Sequence, residues 1–248
     1  MSPPPLPSPE ALRARLEDLA QARGFLLPHH GALAAFAPDL HEAYLRMYQA
    51  LTLTERHLSP LEKETVWLGI LVAVREEVGT HHLELFARAG GSPEAARTLV
   101  AMAGFAAGHD ALAFAQAHWA DRMPGLDAAA AYAEGLARLR GAALPEATAE
   151  LAMLAVQAAR GSAGGTAHHL RRAYALGIGE ERMAEALSYL IWPAGVNCFL
   201  EACTTWHGMM RAGELTPSPR FAAWAGMPGM GAYDTRAGKP VGGFDSED

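Results

Sequence analysis

Apolar residues recur at helical spacing along most of the chain, and no stretch alternates in the manner of a strand. Ser8-Pro9 reads as N-cap and first helical residue of a helix that stops near Gly24. A loop is expected through Pro28-His29-His30, before Pro38-Asp39 opens a helix with Leu40, Ala43, Tyr44, Met47, Tyr48 and Leu51 on its apolar face. Ser59-Pro60-Leu61-Glu62 is a capping-box pattern whose helix is expected to run to about Glu77. Gly79-Thr80 breaks it, and a short helix from His81 closes at Gly90. Ser92-Pro93 starts the next helix, and Asp110 is expected to cap another that runs to Arg122. Pro124-Gly125 divides the chain. Beyond it the pattern predicts helices over 127–140 and 145–160, then a glycine-rich break at Gly161, Gly164 and Gly165. Further helices are expected to end at Leu176-Gly177, to span 180–191, and to run from a cap at Asn197 to Arg211. The proline-rich residues 1–7 are expected to be disordered, and the Gly/Pro-rich tail from Thr216 either disordered or wrapped on a partner subunit. The fold class is all-α.

The order of elements repeats. His82, Gly90, Gly108 and Trp119 recur as His169, Gly177, Gly195 and Trp206, each 87 positions on. Four landmarks in one register indicate a tandem duplicated helical repeat. The expected organisation is an N-terminal segment and helix (1–24), a first repeat (25–123), a second repeat (124–212) and a tail (213–248).

Composition narrows the function classes. The 248 residues are half hydrophobic and 19% charged, with a formal net charge of −7 and no basic stripe, which argues against nucleic acid as a partner. The two cysteines, Cys198 and Cys203, would lie roughly 8 Å apart along one helix, too far for an unstrained disulfide. Free thiols, and an opening Met1-Ser2-Pro3-Pro4-Pro5 without the basic and apolar regions of a leader, make a cytoplasmic location the expectation. The apolar run Val66 to Val74 is too short to span a bilayer, so no membrane partner is expected.

In both halves a glutamate-bearing helix leads through a break to a histidine-bearing helix that ends in Ala89-Gly90 or Leu176-Gly177. Leu58-Ser59-Pro60-Leu61-Glu62-Lys63-Glu64 opens the first copy. His82 and His169 each stand eight residues before the closing glycine, 18 residues after Glu64 and 19 after Glu150 respectively. This arrangement resembles the carboxymuconolactone decarboxylase / alkylhydroperoxidase D superfamily. Its hallmark is a Leu-Ser-Pro-x-Glu-x-Glu helix, a Cys-x-x-Cys-x-x-x-His segment and a following Ala-Gly. The chain departs from it at the thiols, because Arg75 and Val78 occupy the cysteine positions of the first copy and Ser162 and Gly165 those of the second. A peroxidase cycle needs an attacking thiolate and a resolving thiol. The resemblance therefore implies the decarboxylase branch, with no cofactor and a homo-oligomeric, trimeric assembly. The aromatic residues Trp67, Phe105, Trp119, Trp192, Phe199 and Trp206 are in keeping with extensive burial.

The candidate catalytic residues are Glu64, His82 and His81 in the first copy and Glu150, His169 and His168 in the second. A carboxylate that holds one ring nitrogen fixes the tautomer and leaves the other to move a proton. That device suits decarboxylation or isomerisation of a small carboxylated or lactone substrate. Arg75, Arg160 and Arg171 are the candidates for binding its carboxylate. Adjacent helical histidines cannot share one ion and no pair stands at i,i+4, so no metal site is expected. The first copy keeps more ionisable groups, while the glycines of the second leave room for a ligand. The alternatives are a non-catalytic helical ligand-binding or scaffold protein and, with less in its favour, an alkylhydroperoxidase-like reductase.

Overall fold

The computed structural model describes residues 5–227, which are helical with no strand among them. The chain packs as two compact units that divide between Glu55 and Arg56, so the expected first repeat, 25–123, straddles the division.

The N-terminal unit contains α1 (Pro9–Arg23), α2 (Pro28–Phe36) and α3 (Pro38–Tyr48), extended by a π-turn over Gln49–Leu53. Ser8 caps α1 by accepting from the Ala11 amide, and Gly24, at φ +77°, closes it. Residues 28–30 form the first turn of α2 instead of the expected loop. Pro28 at N1 supplies a preset φ, and its missing N–H is one that a helix start leaves unpaired in any case. The expected apolar face of α3 is not the buried one, since Leu40 and Met47 are exposed while His41 is fully buried. The inward face is chosen by a polar contact to His30, which periodicity of apolar residues does not register.

The second unit runs through α4 (Pro60–Val74), α5 (His81–Arg88), α6 (Pro93–Ala106), α7 (His109–Trp119), α8 (Ala128–Arg140), α9 (Glu146–Ala159), α10 (Ala163–Ala175), α11 (Glu180–Ser188), α12 (Val196–Arg211) and α13 (Pro219–Ala225). The centre is α4 packed along α9. Val66 and Ile70 of α4, and Leu151, Ala152, Leu154, Ala155 and Val156 of α9, have no exposed surface. Gly69 permits the close approach, because a Cβ there would lie 3.1 Å from Val156. The capping box at Ser59 and Glu62 forms as expected. Glu185 of α11 accepts from the amides of His57 and Leu58 and so anchors the chain entering α4.

Three expectations are corrected here. The α4 helix ends at Val74, three residues early, with Arg75 in the left-handed region at φ +60°. Asp110 and Asn197 do not cap their helices, whose N-caps are Gly108 and Gly195. The carboxylate of Asp110 instead accepts from the Ser162 hydroxyl at 2.6 Å. Part of the tail is ordered, since α13 lays Phe221 and Trp224 around the buried Trp206, with ring centroids 5.2 and 5.7 Å away. Residues 1–4 and the tail beyond 227 lie outside the described residues. The stretch Pro93–Arg122 is long and apolar enough to cross a membrane by composition. It is two helices that meet at Ala107-Gly108, and α6 buries Leu99, Met102, Ala103 and Ala106 in the core.

Candidate active site

Glu64 faces inward on α4, and Glu150 does the same on α9. Each meets the histidine of the helix that follows. His82 Nδ1 lies 2.6 Å from Glu64 Oε2, and His169 Nδ1 lies 2.6 Å from Glu150 Oε1. All four side chains are buried. The one-residue difference in Glu-to-His spacing is absorbed in the connections. The first passes through the left-handed Arg75 and a 3₁₀ turn at Val78–Thr80, the second through Gly161 at φ +70°.

The two pairs differ at the other ring nitrogen. His82 is stacked on Trp67, with centroids 4.6 Å apart and planes 13° from parallel, and its Nε2 has no hydrogen-bond partner among the described residues. Nε2 of His169 is 3.1 Å from the Tyr132 hydroxyl of α8. Gln157 donates from Nε2 to the Tyr132 oxygen (2.7 Å) and to the Ala106 carbonyl (2.9 Å). The Tyr132 hydroxyl proton is therefore directed at His169, whose Nδ1–H is directed at Glu150. Burial pushes the Tyr132 phenol well above its ordinary range, so it remains a donor.

Glu150 has a second partner, the Arg172 Nε–H at 3.2 Å. Burial acts to raise the Glu150 pKa, but the hydrogen bond from His169 and the charge and hydrogen bond of Arg172 outweigh it, and the carboxyl is held below its ordinary value. His168 points elsewhere. It lines a cavity of about 30 Å³ with Arg140, Glu146, Glu150 and Arg172, and its buried Nε2 has no partner among the described residues. Burial and the neighbouring His169 bring His168 down to about 4. His81 is exposed and tilted against the His82 ring at 4.3 Å.

Of the three candidate arginines, Arg171 pairs with Glu214 on the surface at 2.5 Å. Arg160 is exposed at the end of α9, and its charge acts on Asp110 and Tyr132. Arg75 lines a cavity of about 320 Å³ whose walls are Leu68, Leu71, Leu83, Leu99 and Val100. Sequence reasoning missed Arg172, Tyr132, Gln157 and Trp67. Arg172 carried a readable signal, since it stands three residues after His169 and shares its helix face, whereas Arg171 does not.

The positions of the absent thiols have been put to structural use. Ser162 caps α10 through the Gly165 amide at 3.1 Å and donates to Asp110. Gly165 makes room for Gln157, which a Cβ would approach to 2.6 Å, so the space expected for a ligand is already filled. Burial raises both cysteines, Cys203 to about 11, the reverse of an activated thiolate. Among the described residues no group of three or more His, Cys, Asp or Glu side chains converges to hold a metal.

An all-α unit with a buried glutamate–histidine pair between consecutive helices defines the class. The Carboxymuconolactone decarboxylase family model matches residues 125–206, the stretch that carries Glu150 and His169. No curated protein and no solved structure matches the chain.

Proposed function

We propose that the protein is an acid–base enzyme of the carboxymuconolactone decarboxylase type and that the first glutamate–histidine pair performs the chemistry. The supporting observation is the difference between the pairs: His82 is held by Glu64 at one nitrogen and unengaged at the other, whereas His169 is engaged at both. In this reading Nε2 of His82 takes a proton from a carbon beside a carbonyl, and the electron pair moves to the carbonyl oxygen. Returning that proton to a different carbon of the enolate completes an isomerisation. In a decarboxylation, carbon dioxide departs, its bonding pair forms the enolate, and protonated His82 delivers its proton to carbon. The aliphatic cavity beside α5, lined by Arg75, Glu76 and Glu77 but not by Glu64 or His82, is the proposed place for the body of the substrate, with Arg75 on its carboxylate.

The second pair supports the first as structure. The halves are copies of one repeat, and the second copy keeps the carboxylate and imidazole as a closed packing element beneath α8. The exposed Phe114, Trp119 and Leu83 supply apolar surface for a homo-oligomer. A purely scaffolding protein is the alternative, favoured by the full hydrogen bonding and burial of the second pair.

Turnover of a panel of muconolactone-like acids by His82→Ala and His169→Ala variants separates these readings. The expected outcome is a loss of about 10²–10⁴-fold in kcat for His82→Ala, with His169→Ala losing stability instead. Equal activity of the parent and His82→Ala removes the first pair from the chemistry.

A further inference from the structure

The N-terminal unit holds a cluster of polar side chains that the proposed chemistry does not use. His30 of α2 and His41 of α3 are 1% and 0% exposed. Arg23, the last residue of α1, places Nη1 2.9 Å from His30 Nε2, and His30 Nδ1 lies 3.2 Å from His41 Nε2. An arginine only donates, so His30 accepts at Nε2. Its proton then sits on Nδ1 and is donated to His41 Nε2, which leaves the His41 proton on Nδ1. Three helices are joined by one directional chain in which each imidazole uses its lone pair as an acceptor. The His41 Nδ1–H and the His29 Nε2 are buried with no partner among the described residues.

We propose that this Arg23–His30–His41 chain is a proton-sensitive lock, which holds the N-terminal unit closed while both rings are neutral and loosens it in mild acid. A proton on His30 Nε2 would set an N–H against the Arg23 N–H and bring two cations within hydrogen-bond distance. A proton on His41 Nε2 would meet the His30 Nδ1–H in the same way. The surroundings offer little compensation. Arg15 and Arg23 of α1 and His29 of α2 oppose a charge on His41, and Glu42 of α3 is the single group that favours it. Around His30 the neighbours are His29, Arg23 and His41, with the Tyr44 ring edge-on at 5.7 Å. Burial first, then these cations, bring His30 down to about 4, and His29 and His41 shift in the same direction.

The direction of the effect follows from linkage. An unfolded histidine takes up its proton near pH 6.5, while folded His30 resists until about 4. The opened unit therefore binds more protons throughout that window, and closure weakens as pH falls. From His30 alone the opening constant rises about twenty- to thirtyfold between pH 7.5 and 5.0.

Hydrogen exchange of the full chain at pH 7.5 and 5.0, corrected for the intrinsic pH dependence of exchange, tests this peptide by peptide. The expected result is at least a tenfold loss of protection over 28–48 that depends on the cluster, whereas any loss over 60–74 and 146–159 is the same in the parent and in the variants below. Arg23→Gln keeps an N–H for His30 without the charge and is expected to shrink the pH response. His30→Gln/His41→Gln is expected to abolish it over 28–48, whatever its baseline protection. Because these variants perturb packing, the parent's histidine ring resonances provide a second readout, with His30 expected to stay neutral below pH 5. Protection over 28–48 that is equal at both pH values, a response retained by the double variant, or a His30 ring that titrates near 6.5 overturns the proposal.

Discussion

Tyr132 closes His169: its hydroxyl, 3.1 Å from Nε2, occupies the one ring nitrogen that Glu150 leaves over. No side chain among the described residues does this for His82. One motif, present twice, is thereby sealed in one place and open in the other.

Tyr132→Phe is expected to cost about 1–3 kcal/mol, because His169 Nε2 and one bond of Gln157 are left unsatisfied in a site with no exposed surface. Denaturant unfolding reads the loss. Turnover per folded molecule should stay at the parental level, since the proposed chemistry does not pass through His169.

Glu64→Gln and Glu150→Gln should separate by readout. The first removes the group that orients His82 and should lower kcat by about 10²-fold or more. The second sets an NH2 group against either the His169 Nδ1–H or the Arg172 Nε–H, so that one of these donors loses its acceptor, and should appear as lost stability. Steady-state kinetics beside equilibrium unfolding distinguish the two, and the opposite pattern would move the site to the second pair.

Arg75→Gly is expected to stabilise the fold by about 1 kcal/mol, since Arg75 holds a left-handed φ that glycine adopts freely. If Arg75 binds the substrate carboxylate, the same change raises KM. Thermal unfolding and a KM measurement on one preparation give both answers.

Gly165→Ala is expected to destabilise by about 1–3 kcal/mol, because its Cβ would lie 2.6 Å from the buried Gln157 amide. Gly164→Ala, one position earlier and 3.4 Å from the His109 ring, should change stability little. A pair of melting curves suffices, and equal effects would show that Gln157 yields easily.

Acid should weaken the second unit in two windows. His168 is depressed to about 4, so the unfolded state binds its proton first, and stability present above pH 6.5 is lost as pH falls toward 4. Glu150 is depressed below the ordinary carboxylate value of 4.5, so its contribution is complete above that pH and is lost only in stronger acid. Unfolding of His168→Gln at a series of pH values should show a flatter profile in the upper window alone.

The helices were legible because their signals are local. Ser8-Pro9, Ser59-Pro60 and Ser92-Pro93 each begin one, and Gly24, Gly90 and Gly177 take positive φ just beyond helix ends. The glutamate–histidine pairs were legible through spacing, as one glutamate and one histidine recur on matching helices. Local signals failed where a side chain answered to a distant partner. Asp110 looked like a cap and serves Ser162, 52 residues on; His41 interrupted an apolar face and became its most buried member.

The chain's order of residues by itself determined the all-α architecture, the glutamate–histidine pairs and the loss of the thiols, since each depends on identity and spacing along a helix. Tertiary structure alone decided that Tyr132 reaches His169 across 37 residues, that Arg172 serves Glu150, and that Arg23, His30 and His41 join three helices. Hydrogen bonds form between groups that packing brings within about 3 Å. Helical periodicity specifies which face of a helix turns inward, while the neighbour it meets is chosen by the shape of the whole core.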